Sequence, residues 1–146
     1  MKTQVVQKAV VLNKMGEMLM LRRSKTDIRR PLQWDLPGGL CEDGEELIAS
    51  VNREIIEETS LKVTELMPIY AKTEIRNWKD ENGQHEMNVV FIFYVGKTSS
   101  NDVRLSYEHD KFQWKPIETA QDEFEYYLHR EVLKHLKENK LIPTYI

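Results

Sequence analysis

The sequence has a single cysteine, Cys41, so it can form no intrachain disulfide, and a reducing, cytoplasmic setting is the expectation. It also lacks a long apolar run. The longest is Val89 to Val95, seven residues, against the roughly 20 that a membrane-spanning helix needs. Near the N-terminus Gln7 and Lys8 break the hydrophobic stretch, so no secretory leader and no membrane association are expected. A basic excess is missing too. Lys and Arg number 21 against 24 Asp and Glu, a net charge of −3, which argues against a polynucleotide partner. What is present is ordinary for one folded domain: 146 residues, 40% of them hydrophobic and 31% charged, with residues 1–146 read as a single domain.

The acids are not evenly spread. From Gly39 to Leu61 seven acids face one base, Arg53, giving this segment −6 and leaving +3 for the rest. Around it, Gln4 to Leu12 and Glu17 to Arg23 read as an opening hairpin across the turn at Asn13 to Gly16. Trp34 to Gly39 reads as a loop or a bent strand end. Val63 to Trp78 and Asn88 to Val95 read as strands joined at Asn82-Gly83, the second central because it lacks alternation. Phe112 to Ile117 adds a strand, and Phe124, Tyr127, Leu128, Val132 and Leu136 recur at helical spacing in a closing helix.

The acidic segment predicts a helix capped by Asp43, with Glu46 reaching back, that ends near Thr59. At about 100° per residue, Glu54, Glu57 and Glu58 share an arc of about 100°, beside the apolar stripe of Leu47, Ile48, Val51 and Ile55. Like charges at this spacing repel by about 0.2–0.5 kcal/mol per pair, and the helix C-terminus also disfavours anions. A solvated acidic face would leave that cost uncompensated. Convergent carboxylate oxygens without His or Cys suit Mg²⁺, with Mn²⁺ as the alternative.

These residues resemble the Nudix hydrolase signature, G-x5-E-x7-R-E-U-x-E-E-x-G-U with U a bulky aliphatic. The chain reads Gly39, Glu45, Arg53, Glu54, Ile55, Glu57, Glu58, Ser60 and Leu61 at the nine specified positions, and only Ser60 departs, standing where the family has Gly. That glycine takes a left-handed conformation, which costs Ser roughly 1–2 kcal/mol. The preceding Trp34-Asp35-Leu36-Pro37-Gly38 is also similar to the family's approach to the box.

The resemblance implies an α/β fold, an α/β/α sandwich with a central mixed β-sheet, and hydrolysis of a pyrophosphate linkage in a small nucleotide. By resemblance, Glu54, Glu57 and Glu58 ligate the metal, Gly38 adds its carbonyl, Arg53 orients the carboxylates and Glu54 acts as general base. A downstream acid serves as base or further metal ligand in some members. Here Glu108 matches that position, with Asp110 as rival. Arg23, at the end of the second strand, is the candidate phosphate-binding residue, while Trp34 and Trp78 are candidates for stacking on a base, and for each of them packing is the alternative. Glu45 is expected to be structural, and the histidines, His129 among them, are read as surface or turn groups.

ADP-ribose-cleaving members carry a proline where Arg76 and Asn77 stand, and dinucleoside polyphosphate hydrolases carry a tyrosine near Trp78 and Lys79. These absences lean towards nucleoside triphosphates, oxidised ones included, with ADP-ribose, dinucleoside polyphosphates and nucleotide sugars as alternatives. A non-catalytic nucleotide-binding module is the second class of reading. A homodimer is expected because it is common among relatives.

Overall fold

A computed structural model describes residues 1–143. Strands β1 (Lys2–Leu12), β2 (Glu17–Arg23), β3 (Trp34–Asp35) and β4 (Gly38–Cys41) precede helix α1 (Leu47–Thr59). Strands β5 (Thr64–Asp80), β6 (Gly83–Lys97) and β7 (His109–Pro116), a short helix α2 (Ile117–Ala120) and helix α3 (Tyr127–Glu138) follow. One mixed sheet runs β3-β2-β1-β6-β5, with β4 paired to β1 and β7 to β2.

Strand β1 lies parallel to β6 along its whole length, from Lys2 opposite Met87 to Leu12 opposite Lys97. Alternation along β1 sends Val10 and Leu12 to one face and Ala9 and Val11 to the other. The first face packs against Leu128, Val132 and Leu136 of α3, and the second against Val51 and Ile55 of α1. Helices therefore cover both faces, as the resemblance implied. Strand β6 is interior and contributes to both cores, with Phe91 and Phe93 on one side and Tyr94 on the other.

Some expectations need correction. The opening hairpin is paired only at its base, at Leu12 and Met18, because β4 takes the same edge of β1 from Val5 to Lys8. Strand β2 instead pairs with β3 through Leu21 and Arg22, so residues 34–41 cross between two diverging strands. The β5–β6 turn is Glu81-Asn82, closed by Asp80 opposite Gly83, one residue earlier than expected. The cap of α1 is Glu46, whose own carboxylate accepts the N–H groups of Ile48 and Ala49. It is Glu45 that reaches back, to the N–H of Glu42. Leu47, the first helical residue, stays largely exposed and leaves the stripe to Val51 and Ile55, with Ile48 at its margin.

Helix α1 ends at Ser60 in the left-handed region, φ 63° and ψ 11°, with its N–H donated to the Ile56 carbonyl. Ser60→Gly is therefore expected to raise stability by about 0.5–1 kcal/mol, the relief of left-handed strain less the added unfolded-chain entropy. Urea denaturation checks this, and a lowered midpoint would contradict it.

Candidate functional site

The strand divergence opens a cleft of about 520 Å³ lined by residues of β1, β4, α1, β5 and the loops before β3 and β7. Its floor is set by glycine geometry. Gly38 has φ 137°, and a Cβ there would stand 2.1 Å from the Gln7 carbonyl oxygen, so only glycine lets β4 lie this close to β1. A Cβ on Gly39 would stand 2.7 Å from the Glu54 carboxylate, so the missing side chain is the space that Glu54 occupies.

Glu58 is the most buried acid of α1, 2% exposed. One carboxylate oxygen accepts the Gly38 N–H at 2.7 Å, and the other is 3.6 Å from His109 Nδ1. Burial pushes its pKa up to about 8, outweighing Lys8 and the Gly38 bond, which act the other way. Glu54 is also raised, first by burial and then by the charges of Glu57 and Glu108, against which Arg53 acts. Arg53 binds Glu45 through Nε and Nη2, both at 2.9 Å, and its Nη1 lies 3.3 Å from Glu54 and 3.1 Å from Glu57. Glu45 thus anchors Arg53, the structural part expected of it.

The three helix acids do not converge as their helical angles suggested. Among the described residues no three His, Cys, Asp or Glu side chains stand close enough to hold an ion as they are. Arg53 draws Glu57 outward along the helix, while Gly38 and the apolar packing hold Glu58 inward. The donor set still suits a hard cation. Glu54, Glu57, Glu58 and Glu108 all line the cleft, offer only oxygen, and carry one buried carboxylate whose charge has a single hydrogen-bond donor. Glu57, whose side chain is 57% exposed, has room to turn. Of the two downstream acids, Glu108 lies in this cleft, whereas Asp110 is committed to Arg22 through two 2.8 Å bonds.

Two further candidates differ in their placement. Arg23 lines the cleft, and its Nη1 and Nη2 are each 2.6 Å from a carboxylate, Asp35 and Asp27, while its Nε is buried without a partner among the described residues. Trp78 is outside this cleft. It stacks on His85 at 5.1 Å near the β5–β6 turn and borders an adjoining depression with Arg29 and Arg76. Trp34 packs against the core.

Asp35 and His129 were not among the sequence candidates. Asp35 is fully buried and accepts from Lys8 Nζ at 3.1 Å, Arg23 at 2.6 Å and His129 Nε2 at 2.7 Å. Burial alone would raise its pKa, but Lys8, His129 and Arg23 together hold it well below the usual range. His129 is buried, not on the surface as expected. Its spacing contained the signal: Val132 and Leu136 follow it at i+3 and i+7, which puts it on the apolar stripe.

The family model for the NUDIX domain matches residues 2–136, and the chain belongs to that family. It is 30% identical over 87 residues to the nucleoside triphosphatase NudI of Escherichia coli O81 (strain ED1a), a match covering 58% of this chain and 62% of that protein. That match thus spans less than two thirds of the relative's length. Over 142 residues it is 25% identical to the RNA pyrophosphohydrolase of Pelagibacter ubique (strain HTCC1062), covering 88% of each. The crystal structure of the MutT protein from Methanosarcina mazei Go1 superposes with a TM-score of 0.73 at 28% identity, covering 95% of this chain and 96% of that one. Among the described residues no helix is long and apolar enough to cross a membrane.

The buried acid and histidine give stability a defined pH dependence. Glu58, at about 8 against an ordinary 4.5, keeps a proton in the folded chain that the unfolded chain releases, so its contribution is lost as pH rises from 4.5 to 8. Burial takes His109 from 6.5 down to about 4, and the unfolded chain binds the extra proton, so stability rises with pH between those values. The two oppose each other up to pH 6.5, and above it Glu58 acts alone. Without divalent metal, unfolding free energy should therefore fall between pH 6.5 and 8 by up to about 1.4 kcal/mol per pH unit. Glu58→Gln should flatten that slope in denaturation series, and a flat or rising profile in the parent protein would contradict it.

Proposed function

We propose that the chain is a Mg²⁺-dependent pyrophosphohydrolase that cleaves a small nucleotide at its pyrophosphate linkage. Its first-choice substrates are nucleoside triphosphates, oxidised ones included, which water would convert to the monophosphate, pyrophosphate and a proton. The observation that carries the reading is the four-carboxylate wall of Glu54, Glu57, Glu58 and Glu108 in one cleft. An anionic substrate would be repelled from such a wall alone, and a divalent cation removes that conflict. Glu54, Glu57, Glu58 and Glu108 would hold the cation with the Gly38 carbonyl. When bound, Mg²⁺ or Mn²⁺ would supply charge neutralisation at the phosphate oxygens and polarise the reacting phosphorus.

The chain's own groups do the rest. Glu54 carries a raised pKa and, among the described residues, accepts no hydrogen bond beyond its ion pair with Arg53, which leaves its carboxylate able to take the proton of the attacking water. Arg53, through Glu45, Glu54 and Glu57, keeps the acids on one wall. Arg23 contributes indirectly, by fixing Asp35 and Asp27. Support for nucleoside triphosphates comes from the absent proline and tyrosine beyond the box and from the NudI similarity; ADP-ribose, dinucleoside polyphosphates and nucleotide sugars are the alternatives. A module that binds a nucleotide without turnover is disfavoured because all four carboxylates are retained. A cytoplasmic location and a homodimer belong to the same proposal, the first supported by the single cysteine.

A turnover screen of these four substrate classes, with and without Mg²⁺, tests the reading. Glu54→Gln should lower kcat by about 10²–10⁴-fold, and Glu57→Gln should weaken metal affinity. Turnover of every class no greater than that of Glu54→Gln would remove the enzyme claim, and full metal affinity in Glu57→Gln would remove the ligand assignment.

A further inference from the structure

Opposite the acidic wall, the cleft carries three arginines that the reaction above does not use. Arg29 and Arg30 come from the loop between β2 and β3, and Arg76 comes from β5. Among the described residues none of the three guanidinium groups has a carboxylate within ion-pair distance. Every other arginine of the cleft does: Arg23 is paired with Asp27 and Asp35, and Arg53 with Glu45, Glu54 and Glu57.

The loop backbone and two of the three side chains are held in place by groups that leave the charge uncompensated. Asp27 accepts the backbone N–H groups of Arg29 and Arg30, at 2.9 and 3.0 Å, which orders the loop without neutralising either side chain. The Arg30 guanidinium lies 4.0 Å from the centre of the Tyr126 ring, and that of Arg76 lies 5.5 Å from the centre of the Phe91 ring. Tyr126 is itself tied down by its hydroxyl, which donates to Glu74 at 3.0 Å. Arg29 and Arg30 both have lowered pKa values, first through burial and then through neighbouring charges, among which the other arginines oppose protonation. Three mutually repelling forks in one cleft, two of them seated on aromatic rings, call for an anion, and a phosphate accepts such forks bidentately.

Sheet register separates this cluster from the acidic wall. Phe91 pairs with Val6 on β1, two residues from Lys8, which pairs on its other side with Gly38. Two strand spacings and two residues along a strand amount to on the order of 10 Å in the plane of the sheet. That is further than one phosphoanhydride link reaches.

We propose that Arg29, Arg30 and Arg76 form a second phosphate subsite, which selects nucleotides carrying a phosphate mono- or diester outside the pyrophosphate that is cleaved. The inference rests on the pyrophosphohydrolase reading for its substrate but not for its anion. Two substrate pairs test it with Mg²⁺ present: NADH against NADPH for a monoester, and GTP against a 5′-triphosphorylated dinucleotide for a diester. KM should be about tenfold lower for the phosphorylated member of at least one pair. In Arg30→Ala and Arg76→Ala the ratio should fall to about one. Where a variant's melting temperature shows misfolding, Arg30→Gln or Arg76→Gln replaces it. Equal KM within both pairs overturns the subsite. If none of the four is hydrolysed, inorganic phosphate decides the subsite instead, and the wider substrate screen above decides the pyrophosphohydrolase reading separately. In the metal-free protein the side-chain Nε–H signals of Arg29, Arg30 and Arg76 should then shift and saturate together in NMR titrations, and their failure to shift overturns it.

Discussion

Helix α1 has to bury a carboxylate in order to pack. Glu58 follows Ile55 by three residues and Val51 by seven, so the turn of the helix that seats those two against the sheet also drives Glu58 inside. An isolated buried charge is costly unless it is paired and hydrogen-bonded. Here one backbone N–H, from Gly38, answers it directly. That N–H is within reach because β4 lies against β1 with no Cβ between them, and the positive φ at Gly38 is what permits it. The glycine pair, the strand divergence and the acidic helix are thus parts of a single geometric requirement.

A second buried carboxylate is treated in the opposite way. Asp35 has four donating partners, Lys8, Arg23, His129 and the Leu36 N–H, where Glu58 has one backbone donor, and its pKa moves down while that of Glu58 moves up. The Asp35 cluster ties β1, β2, β3 and α3 together beneath the cleft, which makes it a fixed base. Glu58 and Glu54, by contrast, have few partners, one backbone N–H for the first and the Arg53 guanidinium for the second. Across from them Arg29, Arg30 and Arg76 are left with unmet positive charge. The cleft therefore has acids on the side of α1 and arginines towards β5, and the two sets do not neutralise one another.

Much of this was legible along the chain because it depends on local spacing. The end of α1 at Thr59 and the interior position of β6 both follow from residues within a few turns or one strand of each other. So does the stripe of Val51 and Ile55. The cap was misread because Asp43 and Glu46 both suit it, and only the backbone decides which residue stands just before the first turn. What pattern could not reveal are pairings across long sequence separations. Asp35 meets Lys8 across the sheet and His129 from α3, and Arg53 meets Glu45 from a stretch of chain that has not yet become helical. Arg23 is the instructive case. Its position at the end of β2 was read correctly, but its engagement by the carboxylates of residues 27 and 35 was not visible in the pattern.

The central claim is that the buried Glu58 carboxyl is protonated when the site is empty of metal and gives up that proton when a divalent cation binds. Metal sites built from ionisable ligands release protons on loading. Calorimetric titration of Mg²⁺ into the protein at pH 7, in buffers of different ionisation enthalpy, counts them. The account predicts release of close to one proton per binding event, and none in Glu58→Gln. Mg²⁺ binding with no proton release in the parent protein, or with equal release in the variant, would contradict it.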